Sequence, residues 1–191
     1  TWLGLYEDKN ILLQGGRLGQ RRPPADEPGD RLTAHNSLTG EIIWENHQRY
    51  SGPVGLHPDM IIPGGPGQPA FDPYTGNPVK KSHPITGKEY IWDWYKYYGC
   101  GTMNSSKYLI SFRSGSAGYN DLLNFGGTGN LSGWKAGCTN NLVPADGLLN
   151  GSDYTRTCTC SYPLQCSYGM VHMPDAGVEM WTFNRIEPGN D

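Results

Sequence analysis

The sequence alternates between short apolar runs and clusters of turn-forming residues. Examples are the runs at 11–13, 60–62 and 108–112, which follow Glu-Asp-Lys-Asn, His-Pro-Asp and Asn-Ser-Ser turns. The runs are three to five residues long, and no segment shows a 3.6-residue period over ten residues. Short runs bounded by Gly, Pro and Asn are typical of β-strands. The pattern therefore predicts an all-β chain of antiparallel sheets with almost no helix.

One turn recurs along the chain: a Thr-Gly pair between two strands, with a Trp on the second strand. The first copy is Leu-Thr-Ala-His-Asn-Ser-Leu-Thr-Gly-Glu-Ile-Ile-Trp at 32–44, and related elements lie at 70–76, 85–92 and, more degenerate, 177–183. Glycine takes the positive φ of such a turn without steric cost. Short strands around Gly turns predict a sandwich, barrel or propeller. The Thr-Gly-to-Trp spacing favours the propeller, in which a Trp of one blade packs on the turn of the next.

We expect a single propeller-like domain or fragment over 1–191 with about four blades. The expected blade limits are 2–46, 52–94, 97–147 and 156–184. The chain begins at Thr1 and enters a strand at once, which predicts a processed or truncated chain. An open arc of blades leaves unpaired edges and apolar faces. Such an arc is expected to self-associate as a homo-oligomer or to join the remaining blades of a longer chain.

Composition and charge exclude several classes of protein. Aromatic residues make up 12% of the chain, which argues against disorder despite 27 Gly and 15 Pro. The net charge is −3, and the basic cluster Arg17, Arg21 and Arg22 is followed at once by acidic residues. Nucleic-acid binding is therefore not indicated. No apolar run reaches the length of a membrane helix, so no membrane span is predicted.

All five cysteines lie in the second half of the chain, at Cys100, Cys138, Cys158, Cys160 and Cys166. No Cys-x-x-Cys pair occurs, so a zinc ribbon is not indicated. Cys158 and Cys160 are too close together to bridge each other, and disulfides to distant partners such as Cys100 and Cys138 are expected. Cys166 would remain as the odd cysteine. Disulfides indicate an oxidising compartment, and we expect a periplasmic, cell-surface or secreted protein.

The segment Ala34–Trp44 resembles the docking motif of PQQ-like propeller repeats, Ala-x-Asp-x-x-Thr-Gly-x-x-x-Trp, with Asn36 in place of Asp. The second half resembles the C-terminal region of large PQQ-binding-like propeller proteins of planctomycete-type bacteria. The segments that carry this likeness are 98–102, 112–115, 118–121, 137–138, 144–147 and 158–163. The resemblance implies an incomplete propeller from an extracytoplasmic bacterial protein.

The same resemblance leaves the cofactor unknown. PQQ and Ca²⁺ are candidate cofactors by resemblance only. Quinoprotein dehydrogenases close a full propeller around the quinone and often carry an adjacent-Cys disulfide. This sequence has no Cys-Cys pair, and about four blades do not enclose a central cofactor. Fold alone does not fix function.

Five residues are candidate ligand-binding positions. Arg113, Tyr119 and Asp121 lie in one polar cluster, where Arg113 and Asp121 would face a cleft for an anionic or sugar-like ligand and Tyr119 would stack on it. The alternative is an ion pair between Arg113 and Asp121 across a hairpin. Tyr154 and Arg156 either line the same cleft or belong to a loop held by the disulfides.

Metal and catalytic patterns are weak. Cys166, Met170, His172 and Met173 are soft-metal ligand types, but a strand places Met170 and His172 on one face and Met173 on the other. No metal site is predicted. No Ser-His-Asp order or Gly-x-Ser-x-Gly elbow is present. The carboxylates that could serve glycoside hydrolysis are Asp72, Asp93, Asp121 and Asp146.

Two functions follow from these patterns. The first is a non-catalytic propeller-repeat binding or scaffold module that presents loops to a polysaccharide or another protein. The alternative is an enzyme built on a propeller, either a quinoprotein-like oxidoreductase or a carbohydrate-active hydrolase. Its site would lie at the blade ends near the five candidate residues.

Overall fold

Strands dominate the computed structural model, which describes residues 2–16, 31–47, 50, 52–65, 67–96, 99, 101–131, 142–152 and 167–171. Fifteen strands lie in these residues, and all of their pairings are antiparallel. The one helix in this part of the chain is a single 3-10 turn, Glu7–Lys9. The predicted all-β fold with almost no helix is confirmed.

The first sheet is a four-stranded meander of consecutive strands, the form of a propeller blade. Its strands are β1 (Trp2–Tyr6), β2 (Ile11–Gly15), β3 (Leu32–Asn36) and β4 (Ile42–Asn46). Side chains alternate between the two sides of each strand, so the two faces of the sheet differ. One face buries Leu13, Ala34 and Trp44, whereas Leu3 and Leu5 on the other face are exposed.

The second sheet is built from shorter pieces. Its named strands form two hairpins, β5 (Gly55–His57) with β6 (Met60–Ile62) and β7 (Lys80–Ser82) with β8 (Glu89–Ile91). Single bridges join Ile61 to Phe71, Phe71 to Pro78, and Pro69 to Asp93. These bridges connect the first hairpin to the residues that flank the second, so the whole region forms one blade-like unit.

The third sheet is again a four-stranded meander of consecutive strands. Its strands are β9 (Met103–Ser105), β10 (Leu109–Arg113), β11 (Ala117–Asp121) and β12 (Gly127–Leu131). The fourth sheet has three described strands, which are β13 (Leu142–Ala145), β14 (Leu148–Gly151) and β15 (Tyr168–Val171).

The cores lie between successive sheets. Ile61 and Phe71 of the second sheet join a buried cluster with Leu13 and Ala34 of the first. The neighbouring residues Met60 and Ile62 point the other way and join a second cluster, which includes Trp92, Trp94, Ile110 and Phe112. A strand buried on both faces explains why Met60–Ile62 is a continuous apolar run.

The recurring Thr-Gly turn has the same hydrogen bonds in three places. In each, a side-chain acceptor receives the backbone N–H groups of the residues two and three positions later, at 2.8–3.2 Å. The acceptors are Asn36 Oδ1, Asp72 Oδ1 and His83 Nδ1. The turn glycines have φ values of 77°, 69° and 67° at Gly40, Gly76 and Gly87. The repeat seen in the sequence is therefore a structural repeat.

A fourth turn of this kind lies between β11 and β12. Asp121 Oδ1 accepts the N–H groups of Leu123 and Asn124 at 2.9 and 3.1 Å. Phe125, with φ of 54°, occupies the left-handed position that glycine holds elsewhere. Without the Thr-Gly pair, the sequence pattern does not reveal this copy.

The tryptophan of one sheet packs on the turn of the next, as predicted. Trp44 Nε1 donates to Pro73 O at 2.9 Å. A Cβ atom at Gly76 would lie 2.6 Å from the Trp44 ring, so only glycine fits beneath the indole. In the same way, Trp92 of the second sheet meets Phe125 of the third edge to face, with ring centroids 6.4 Å apart.

Four aromatic rings lie across glycines on the neighbouring strand. The directly opposed pairs are Trp2–Gly15, Phe112–Gly118, Tyr119–Gly129 and Tyr168–Gly151. A Cβ at any of these glycines would come within 2.3–2.6 Å of the facing ring. Each ring thus packs on the backbone that its glycine partner leaves exposed. Such cross-strand pairs fix the register of the two strands.

His57 tethers the second sheet to the third. Its Nε2 lies 3.0 Å from Lys107 O and its Nδ1 lies 3.1 Å from Asp59 N. These partners assign Nε2 as the donor and Nδ1 as the acceptor, which is the neutral ring. Burial lowers the pKa of His57 below its ordinary value, because the charged ring is poorly solvated there.

The tether is expected to make stability pH-dependent. The folded pKa lies below the unfolded value of 6.5, so the unfolded chain binds more protons at mildly acidic pH. The His57 contribution is complete above that unfolded pKa and is lost as pH falls toward the folded pKa. Urea unfolding of wild type and His57→Gln at pH 7.5 and 5.0 measures this contribution to the free energy of unfolding. Wild type should lose more stability on acidification than the variant, and equal losses would contradict the assignment.

Candidate binding cleft

The third and fourth sheets touch at one end. Leu142 O accepts hydrogen bonds from Asn104 Nδ2 at 2.7 Å and from Ser111 Oγ at 2.8 Å. Ala117 and Leu142 are fully buried beside this contact, and Leu131 and Leu149 pack on them. The side-chain hydrogen bonds and the small core fix β13 against β9 and β10.

Residues of both sheets line a cavity of about 580 Å³, here named the inter-sheet cleft. Leu109, Tyr119 and Leu131 line it on the third sheet, and Pro144, Leu149 and Met170 line it on the fourth. Tyr119 is 37% exposed and Met170 is 40% exposed. Among the described lining residues there is no His, Cys, Lys, Arg or Glu. The cleft therefore offers mainly apolar and aromatic surface.

Tyr119 is the aromatic residue of the cleft. A Cβ atom added at Gly129 would lie 2.6 Å from Tyr119 Cζ, so the ring is seated on the backbone of the neighbouring strand. The glycine supports the ring, while the ring still lines the cavity. A supported, half-exposed tyrosine supplies contact area with little rotamer entropy to lose on binding.

The three described candidate residues share one face of the β10–β11 hairpin. Arg113 is opposite Ala117, and Asp121 is opposite Leu109. Because side chains alternate along a strand, Arg113, Tyr119 and Asp121 point to the same side at successive heights. Arg113 and Asp121 lie at opposite ends of the hairpin, so this register does not make them cross-strand partners.

The structure brings only one of the three into the cleft. Tyr119 lines it, whereas Arg113 is 0% exposed and presents no surface to a ligand. Asp121 stands at the outer end, where its carboxylate closes the turn to β12. The N–H of Asn124 and then that of Leu123 hold the pKa of Asp121 below its usual value. Its charge stabilises the turn.

Several other candidates lie outside the described residues. These are Tyr154, Arg156, all five cysteines, His172, Met173 and the element at 177–183. The disulfides and the roles of Tyr154 and Arg156 therefore stay predictions. In the described ranges, no three His, Cys, Asp or Glu side chains converge as metal ligands would. No helix found there is long and apolar enough to cross a membrane.

The fourth-sheet wall of the cleft is what the sequence analysis missed. Asp146 and Gly147, with φ values of 52° and 76°, form the two-residue turn between β13 and β14. An Asp-Gly pair between apolar runs is a strong hairpin signal, and it could have located this wall. Asp146, considered above as a hydrolytic carboxylate, has the conformation of a turn residue.

The chain shows similarity to solved structures. No family model matches the sequence, and no curated protein matches it. A crystal structure of BamB from Moraxella catarrhalis matches with a TM-score of 0.46 and 14% sequence identity. The match covers 78% of this chain and 45% of the BamB chain, so this chain spans less than half of that protein.

Proposed function

We propose that this chain is a non-catalytic, propeller-type binding module whose inter-sheet cleft receives apolar side chains of a partner protein. The observation that carries the proposal is the cleft of about 580 Å³ with Tyr119 exposed in it. Concave, mostly apolar sites with few polar groups are typical binding sites. The Thr-Gly repeats and cysteines further support a PQQ-like repeat protein that acts outside the cytoplasm.

A protein partner fits the cleft better than a polysaccharide. Sugar hydroxyls need hydrogen-bond partners, and unmatched polar groups are costly to bury. The polar side chains among the described lining residues are Ser111, Tyr119 and Asp146. Ser111 Oγ already donates to Leu142 O. Aliphatic surface on the opposite wall suits Leu, Met or aromatic side chains.

Tyr119→Ala is expected to weaken partner binding about tenfold or more, because aromatic anchors in binding clefts are typical hot spots. A display library of random 15-residue peptides, selected against the wild-type chain, supplies the probe. Affinities of the enriched peptides for the variants are then measured by isothermal titration calorimetry. The matched control is Tyr90→Ala, which removes a tyrosine that is 42% exposed on β8, outside the cleft.

Peptides rich in apolar residues that lose affinity for Tyr119→Ala but not for Tyr90→Ala would support the proposal. Full affinity for Tyr119→Ala would overturn it. A glycan array on the same proteins distinguishes the carbohydrate alternative: glycan binding that depends on Tyr119, without peptide binding, would replace the protein partner by a polysaccharide.

A further inference from the structure

A smaller cavity, of about 210 Å³ and here named the lysine pocket, lies between the second and third sheets. The second sheet and its turns contribute His57, Pro58, Asp59 and Lys81, and the third sheet contributes Lys107, Tyr108, Leu122, Leu123 and Phe125. None of these residues lines the inter-sheet cleft. The lysine pocket thus combines two cations with apolar and aromatic side chains, a chemistry that the inter-sheet cleft does not have.

The lysine pocket is positively charged, although the whole chain has a net charge of −3. Lys81, Lys107 and Asp59 are its charged residues, and its His57 has the neutral ring assigned above, so the net charge of its lining is +1. Among the described residues, no carboxylate forms an ion pair with either lysine. Both ammonium groups can therefore receive an anion from outside the chain.

Aromatic rings hold the two ammonium groups at the pocket. Lys81 Nζ lies 4.1 Å from the centroid of the Phe125 ring, and Lys107 Nζ lies 5.3 Å from that of the Tyr108 ring. Both rings line the pocket. A cation–π contact attracts an ammonium group without neutralising its charge. The rings therefore position the positive charge and supply apolar surface beside it.

Phe125 has a backbone conformation that disfavours a side chain. Its φ of 54° is left-handed, and the three Thr-Gly turns have glycine at the corresponding position. The Phe125 ring meets Trp92 edge to face, and Lys81 lies over it. Residues with unfavourable backbone conformations are concentrated at ligand-binding sites. A ring in place of glycine here points to a role in the lysine pocket.

The pKa of His57 shows that both lysine charges act on one point of the pocket. Burial is the largest cause of the lowered pKa, and the charges of Lys81 and Lys107 lower it further. The hydrogen bond to the backbone of Lys107 and the charge of Asp59 act in the opposite direction. The two lysines thus surround the same cavity rather than separate parts of the surface.

We propose that the lysine pocket binds a carboxylate attached to an apolar group, with Lys81 and Lys107 holding the carboxylate and Phe125 contacting the apolar group. A singly charged carboxylate matches the net charge of +1, and charge-assisted hydrogen bonds from ammonium groups are strong. A phosphate without an apolar part would leave the aromatic rings unused. The carboxylate belongs either to a free small acid or to a glutamate beside an aromatic residue in a protein.

The test is an NMR titration of the whole chain with 3-phenylpropionate, and a dissociation constant of about 1 mM or below is expected for a ligand of this size. The neutral analogue 3-phenylpropanamide should bind at least about tenfold more weakly, since it lacks the charge. Lys81→Met and Lys107→Met should each weaken 3-phenylpropionate binding about fivefold or more. Phe125→Gly, which restores the glycine of the other turns, should also weaken it.

Lys80→Met is the matched control. Lys80 precedes Lys81 on β7, pairs with Glu89 at 3.7 Å and does not line the pocket. Its replacement changes the net charge of the chain by the same amount and should leave binding unchanged. Tyr119→Ala, which alters the inter-sheet cleft, should also have no effect, so the outcome here is independent of the proposed function. Far-UV circular dichroism confirms that each variant is folded.

An acetylated and amidated Gly-Glu-Phe-Gly peptide, with its glutamine analogue, distinguishes the two sources of the carboxylate. Tighter binding of the glutamate peptide than of 3-phenylpropionate would assign a protein ligand, and the reverse would assign a free acid. Absence of binding by both probes would overturn the proposal, as would equal weakening by Lys80→Met. Equal affinity for 3-phenylpropanamide would show that charge plays no part, and tighter binding of inorganic phosphate would refute the carboxylate.

Discussion

Trp94→Ala is expected to lower the free energy of unfolding by about 3–5 kcal/mol, the range for large-to-small changes of buried aromatic residues. The Trp94 side chain is 1% exposed at the centre of the core between the second and third sheets. Its ring lies 5.1 Å from that of Phe112, and its Nε1 donates to Pro63 O at 2.9 Å. Truncation to Ala removes the packing of the ring and leaves a cavity. It also leaves Pro63 O without the Trp94 Nε1 hydrogen-bond donor.

Urea unfolding followed by far-UV circular dichroism measures this effect. Trp94→Phe retains a ring but not the N–H, so its cost should be smaller, about 1–3 kcal/mol. Tyr90→Ala, at an exposed strand position, should stay within about 0.5 kcal/mol of wild type. A Trp94→Ala cost below about 1 kcal/mol would show that the two sheets do not depend on this core.

Gly76→Ala is expected to destabilise the chain by about 2–5 kcal/mol, clearly more than Gly87→Ala. The two glycines lie in equivalent turns with φ of 69° and 67°, and a left-handed residue with a side chain costs about 1–2 kcal/mol at either. At Gly87 the new methyl group meets nothing within 4 Å, whereas at Gly76 it meets the Trp44 ring at 2.6 Å. Forcing an atom into packed space adds about 1–3 kcal/mol.

A double-mutant cycle isolates the collision. In a Trp44→Ala background the methyl group at position 76 has no indole to displace, so Gly76→Ala should then cost no more than Gly87→Ala. Unfolding free energies of the four proteins in the cycle provide the comparison. An unchanged cost of Gly76→Ala without the indole would refute packing of Trp44 on this turn.

The fold was predictable because its signals are local. The turn after Asn36 or Asp72 forms because the side-chain oxygen accepts backbone N–H groups and the glycine takes a positive φ. Both features depend on a few consecutive residues. Runs such as Met60–Ile62 have strand length and lie between turns. The packing of Trp44 on the next turn was also predictable, since the spacing recurs from unit to unit.

The candidate cleft was only partly predictable because burial and sheet spacing are properties of the assembled chain. The sequence predicts Tyr119 as a stacking surface for a ligand, and the residue lines the cleft. Arg113 has the chemistry of a ligand-binding residue, but no pattern in the neighbouring sequence indicates that its side chain is fully buried. His57 ends β5 beside the turn that Pro58 indicates, whereas its hydrogen bond to Lys107 spans 50 residues of sequence and has no local signal.

The rings that lie across glycines also constrain how this sequence changes over time. Because the glycine opposite Trp2, Phe112, Tyr119 or Tyr168 has no room for a Cβ, the glycine cannot be exchanged while the ring is present. A lineage that introduces a side chain at Gly129 must first reduce the ring at 119, passing through an ancestor with small residues on both strands. In an alignment of related chains, the two positions of each pair should therefore covary.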